Sequence, residues 1–123
     1  MAKRSYELRE HPTMEVEIGG REYRARLGDM TFSLLAREAL ARFGEVLEPG
    51  AGEAERVDRA VAFSDAARAC VACVLGPEAA EELVGGDHRL DMWRIADVLS
   101  AVCDVVSSEE YLAASRGAWS GLS

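Results

Sequence analysis

Polar and apolar residues alternate along this chain first with a period of two and then with a period of three to four. Between residues 13 and 27, Met14, Val16 and Ile18 alternate with Glu15 and Glu17, and Tyr23, Ala25 and Leu27 alternate with Glu22, Arg24 and Arg26. The two runs flank Gly19-Gly20, and both glycines accept the positive φ angles that a two-residue turn demands, so residues 13–27 predict a β-hairpin. In that register Val16 opposes Tyr23 and Met14 opposes Ala25 on one face, while Glu15 opposes Arg24 on the other. A hairpin with one oily face must lie on something, because two strands alone are marginal in water. A phosphate-binding glycine turn would need a helix N-terminus and a lysine at fixed spacing, and neither follows.

From residue 29 the period lengthens and helices are expected at 29–47, 53–75, 77–84, 91–106 and 108–118, with 48–52 as a linker. The first starts at Asp29 or Thr31, either a suitable N-cap, and its stripe is Phe32, Leu35, Ala36, Ala39, Leu40, Phe43 and Val46. Pro49-Gly50-Ala51-Gly52 breaks it. The second is the longest, and its apolar face of Val57, Ala60, Val61, Ala67, Val71, Val74 and Leu75 is widened by Phe63, Ala66, Cys70 and Cys73. A helix apolar over most of its circumference must be covered on several sides. It is therefore central, or another molecule covers part of it. Gly76-Pro77 ends this helix and puts proline in the first turn of the next, where its missing N–H costs nothing. Gly85-Gly86 stops that short helix.

Asp91 is the expected N-cap of the following helix, whose stripe is Met92, Ile95, Ala96, Leu99, Val102, Cys103 and Val106; Trp93 falls off the stripe. Ser107 and Glu110 have the spacing of a capping box for the last helix, and an exposed Trp119 there would be a docking group. Residues 1–12 form a short strand or a loose arm around Tyr6 and Leu8. The expected fold is mainly α with a small N-terminal hairpin (α+β), a compact bundle of three main helices plus short ones in a single domain over 1–123.

Composition narrows the functional classes. The chain has 123 residues, 49% of them hydrophobic and 29% charged, as in a folded globule. Its net charge of −8 opposes nucleic-acid and anionic-membrane binding. The charge is uneven: residues 1–42 hold eight Lys/Arg against seven Asp/Glu, and residues 43–123 hold six against fifteen. Met1-Ala2-Lys3-Arg4 leads into polar residues where a signal peptide would turn apolar, no apolar run approaches the roughly 20 residues of a membrane span, and an odd cysteine count of three fits reduced thiols. A soluble cytoplasmic protein is expected.

Candidate chemistry is sparse. Cys70-x-x-Cys73 lies near a helix C-terminus among alanines and valines, whereas a redox pair needs the helix N-terminus to lower its thiol pKa. Zinc would need two more ligands, and Cys103 and His88 are the ones on offer. Glu78, Glu81 and Glu82 are the residues a solvated first turn favours and lack calcium-loop spacing. Asp87-His88 resembles half of a catalytic pair without a nucleophile, since Gly117-Ala118-Trp119-Ser120-Gly121 places its serine one position late. His11 beside Pro12 reads as a surface residue. No catalytic, cofactor-binding or metal-binding residue is assigned.

The order hairpin, helix, linker, long apolar helix, Leu75-Gly76-Pro77-Glu78-Ala79-Ala80-Glu81-Glu82-Leu83-Val84-Gly85-Gly86, amphipathic helix resembles the tail assembly chaperones of long-tailed bacteriophages and prophages. Val16-Glu17-Ile18-Gly19-Gly20-Arg21-Glu22-Tyr23 matches their opening strand pair, and the likeness spans residues 14–106. It implies a non-enzymatic factor that binds the helical tape measure protein in the host bacterial cytoplasm, keeps it soluble until tail tube protein polymerises around it, and stays out of the mature virion. Tail tube protein and further copies of the chain are the other partners it brings into view. The family carries no catalytic residues to transfer, and the alanine content and acidity here depart from its pattern. A chaperone for a long helix needs apolar grooves between helices, and Phe63, Val74, Leu83, Met92 and Trp93 are expected to border one. The alternative is a small acidic regulator that blocks a basic or nucleic-acid-binding partner with its carboxylates. A thiol or metal enzyme resting on Cys70, Cys73 and His88 is the third.

Overall fold

The computed structural model describes residues 3–28 and 30–120. Strands β1 (Thr13–Ile18) and β2 (Arg21–Arg26) form an antiparallel hairpin in the register expected, with Met14 opposite Ala25, Glu15 opposite Arg24 and Val16 opposite Tyr23. Gly19 and Gly20 both have positive φ, at 62° and 82°, which is the geometry of a turn that matches strand twist. The Met14, Val16, Ile18, Tyr23 and Ala25 face packs on the core, and the intervening residues point to solvent. Residues 3–12 run up to β1 without regular secondary structure, with Tyr6 and Leu8 exposed.

Five helices follow: α1 (Thr31–Leu47), α2 (Glu53–Leu75), α3 (Pro77–Val84), α4 (Met92–Ser107) and α5 (Glu109–Ser120), with a single 3-10 turn at Gly86–His88 between α3 and α4. The fold is thus α+β, as the periodicities predict. Gly76, at φ 91°, serves two helices at once: its N–H donates to the Ala72 carbonyl to close α2, and its carbonyl accepts from the Ala80 N–H to open α3. Asp91 caps α4 as expected, accepting from the Arg94 N–H at 3.1 Å.

Two caps differ from expectation. The residue before α1 is Met30, which offers no side-chain bond, and Thr31 is already helical; Asp29 lies outside the described residues. The anticipated capping box is displaced by one. Because α4 continues through Ser107, that hydroxyl bonds back to the Cys103 carbonyl at 2.8 Å, and Ser108 accepts from the Tyr111 N–H at 3.2 Å to start α5.

The core is built around α2. Its inward residues Phe63, Ala67, Cys70, Val71, Val74 and Leu75 are buried by α1, α3, α4 and β2, so it is the central helix. Its first two turns extend past these neighbours, and Val57, expected on the buried face, is half exposed. On α4 the buried line is Ile95, Val98, Leu99 and Val102, rotated toward Val98 from the expected stripe and leaving Met92, Ala96 and Cys103 on a half-covered flank. On α1, Phe32 and Ala39 are buried, whereas Leu40, assigned to the stripe, is 62% exposed. The buried Ser64 hydroxyl donates to the Arg89 carbonyl and fixes the approach to α4 against α2. Among the described residues no helix is long and apolar enough to cross a membrane.

Candidate functional site

Helices α1 and α4 both lean on α2 but scarcely meet each other. The valley between them is an apolar cleft of about 320 Å³, walled by Leu40 and Phe43 of α1 and by Ala96, Leu99, Ser100 and Cys103 of α4, with Phe63 of α2 as its floor. Phe43 and Phe63 meet with ring centroids 5.1 Å apart and planes tilted by 50°, an aromatic contact worth about 0.5–1.5 kcal/mol beyond the area it buries. The walls are spaced as helix ridges are: Leu40 and Phe43 at i, i+3, and Ala96, Leu99, Ser100 and Cys103 at i, i+3, i+4 and i+7. Such ridges leave a furrow into which the side chains of another helix fit. The small Ala96 and Ser100 lower one wall. Beside the cleft Trp93, 89% exposed, lines a shallow hollow that shares Ala96 and Ser100 with it.

The five residues expected to line a groove do not share one. Phe63, Val74 and Leu83 are only 1%, 2% and 3% exposed. Val74 is a core residue, because α2 presents it inward among Val71, Leu75 and α3. Leu83 lies beneath the hairpin side of the molecule, and Phe63 reaches the cleft only as its floor. Met92 is half-buried and packs on the core. Trp93 alone is a freely presented rim residue. The surplus apolar surface anticipated on α2 resides instead on the facing flanks of α1 and α4, at Leu40, Phe43, Ala96 and Cys103, which the stripes had assigned to the interior or to no surface at all.

A larger pocket, about 550 Å³, opens between the hairpin tip, α3 and α4, and holds Glu17, Arg21, Tyr23, Glu82, His88, Arg94 and Asp97. Its polar groups largely satisfy one another. Glu82 accepts from the Arg21 guanidinium and from the Tyr23 hydroxyl, the latter at 3.0 Å, and the Arg94 Nε donates to the Leu83 carbonyl at 2.9 Å. Those two donors, the Arg21 bond first, hold the Glu82 carboxyl below the usual carboxylate range, and burial followed by the Glu82 bond raises the Tyr23 hydroxyl. The pocket is therefore a clasp between hairpin and α3, and the smaller apolar cleft is the better candidate for docking.

The cysteines do not form a reactive centre. Cys70 is fully buried, and burial first, then Cys103 and Cys73 nearby, pushes its thiol from about 9 up to about 12; burial also raises Cys103. Such thiols stay protonated at neutral pH and are poor nucleophiles. His88 lines the polar pocket on the other flank of α4 from Cys103, and among the described residues no group of three or more His, Cys, Asp or Glu is placed to hold a metal ion. His11 is exposed, and its Nε2 donates to the Leu27 carbonyl at 2.8 Å. Trp119 is 59% exposed and closes a hollow of about 350 Å³ with Arg9 to Pro12 and Leu27. Comparisons with protein families, with curated proteins and with solved structures returned no match for the chain.

Many carboxylates are engaged within the chain. Arg42 pairs with Glu38 and Glu45, Arg59 with Glu48 and Glu55, and Arg68 with Asp65 and Glu81. Interleaving of this kind breaks up the uniform acidic face that a charge-blocking regulator would present.

Proposed function

We propose that this protein is a non-enzymatic assembly chaperone of a phage or prophage tail, binding the helical tape measure protein through the cleft between α1 and α4. The observation that carries the proposal is an open, almost wholly apolar furrow with helix-ridge walls, beside a larger polar pocket that is tied shut by internal bonds at Glu82 and Arg94. Apolar burial in such a furrow contributes roughly 25 cal/mol per Å² removed from water, enough to shield a segment of an aggregation-prone helix without any chemistry. The sequence resemblance over residues 14–106 supplies the identity of the partner.

The test is co-expression with a tape measure fragment, comparing wild type with a Leu40→Asp, Ser100→Arg double variant. Both positions are exposed, so the fold should persist, as a thermal melt would verify. Recovery of the fragment should fall about tenfold or more, as for loss of an interface centre. Equal recovery would reject the cleft. Val74→Asp is unsuitable, since it would bury an unpaired charge and report on folding alone.

A further inference from the structure

The two rims of the cleft differ in charge. On the α1 side the exposed residues are Arg37, Leu40, Ala41, Gly44 and Leu47, while Arg42 is held by Glu38 and Glu45. On the α4 side the outer ridge carries Trp93, Asp97 and Asp104, all exposed. The one basic residue of α4, Arg94, also lines the hollow beneath Trp93, but its guanidinium is engaged through Nε with the Leu83 carbonyl at 2.9 Å. Asp97 makes no ion pair among the described residues, unlike the carboxylates of α1 and α2 that face arginines. It stands one turn from Trp93, and both border the hollow that runs into the cleft through Ala96 and Ser100. An uncommitted carboxylate beside a bare indole face is a receptor for a cation, because the ring quadrupole and the carboxylate attract the same charge.

From this asymmetry we infer that the cleft seats an amphipathic helix with lysine or arginine along one edge of its apolar stripe, one such cation lying over Trp93 against Asp97. The inference rests on the cleft being a docking surface and adds the chemistry of its occupant. Charge complementarity selects a basic-edged helix over a neutral or acidic one. It also sets the direction of roll, because the basic edge must face α4 and the bare edge α1. A strand is disfavoured, since its side chains alternate across two faces and would leave one row of the furrow unfilled.

Two synthetic helical peptides test this on the intact protein. Both carry the same Leu/Ala stripe at i, i+3, i+4 and i+7, and one has lysine along an edge where the other has glutamine. By fluorescence anisotropy of labelled peptide at low salt, the lysine peptide should bind about tenfold tighter, the sum expected of one exposed cation–π contact and one surface ion pair. The gap should shrink as salt is raised. Asp97→Asn and Trp93→Leu should each narrow it, and Asp97→Lys should favour a glutamate-edged peptide. Equal binding of both peptides would overturn the cation receptor and leave the cleft standing. A lysine preference indifferent to Asp97 and Trp93 would overturn the assigned site. Failure of both peptides to bind would remove the docking reading and this inference together.

Discussion

The two flanks of α2 are finished in different ways. Toward the hairpin and α3 the apolar contacts are sealed by polar ties: Arg21 and Tyr23 hold Glu82, Arg94 holds the Leu83 carbonyl, and Ser64 holds the Arg89 carbonyl. Toward α1 and α4 no such tie crosses the gap at Phe63 among the described residues, and aromatic and aliphatic groups line it. Directional bonds confer a unique geometry where the chain must hold its own shape. Non-directional apolar surface, left uncovered, is suited to a partner whose sequence varies along its length. The contrast therefore separates the part of the molecule that specifies the fold from the part that is available.

Substitutions can break that contrast, beginning with the residue that belongs to both flanks. Phe63→Ala removes the floor of the cleft and a ring from the core, and should lower stability by about 3–5 kcal/mol in urea denaturation. Leu40→Ser, a few ångströms away on the open side, should stay within roughly 0.5 kcal/mol of wild type because its side chain is already in water. If both substitutions destabilise equally, the cleft is closed in solution and the comparison fails. Tyr111→Phe is next in size. The Tyr111 hydroxyl donates to the Arg26 carbonyl at 2.6 Å, and its loss should cost about 1–2 kcal/mol by leaving that acceptor short of a partner. Ser108→Ala removes the cap of α5 and should cost about 1 kcal/mol, read as earlier loss of α5 amide protection in hydrogen exchange.

The smallest effect concerns the exposed clasp and depends on pH. Because the folded-state pKa of Glu82 is depressed, its contribution is present above the unfolded value and is lost as pH falls through the folded one. Acid below the usual carboxylate range should therefore lower amide protection in the hairpin, relative to the intrinsic exchange rate at each pH, more in the wild type than in Glu82→Gln. Cys70 acts in the opposite sense. Its raised pKa means that the stability it contributes is full below about 9 and lost as the pH climbs toward about 12.

Much of this architecture is legible in residue order, and the reasons are local. Gly19-Gly20, Pro49-Gly50, Gly76-Pro77 and Gly85-Gly86 punctuate the chain so sharply that strand and helix limits follow from backbone preference alone. What could not be read was direction. In α2, apolar residues occupy so much of the circumference that no single face stands out. In α4, a stripe centred on Leu99 and one centred on Val98 fit the same pattern; packing against α2 and α3 decides between them. Val74 was assigned to a surface for that reason. A signal for the cleft does exist in Leu40, Phe43 and Leu47 and in Ala96, Ser100 and Cys103, each a row of apolar or small residues displaced to one side of its main stripe. Its meaning emerges only when α1 and α4 are seen to lean on the same helix.

The bond between Tyr111 and Arg26 joins positions 85 residues apart. During synthesis the hairpin leaves the ribosome well before α5, the helix that supplies its latch. Until then the strands have only the partly formed bundle to rest on. A nascent product halted before α5 would keep the helical valley while leaving the strand pair unlatched, so the emergence of α5 acts as a check on the hairpin.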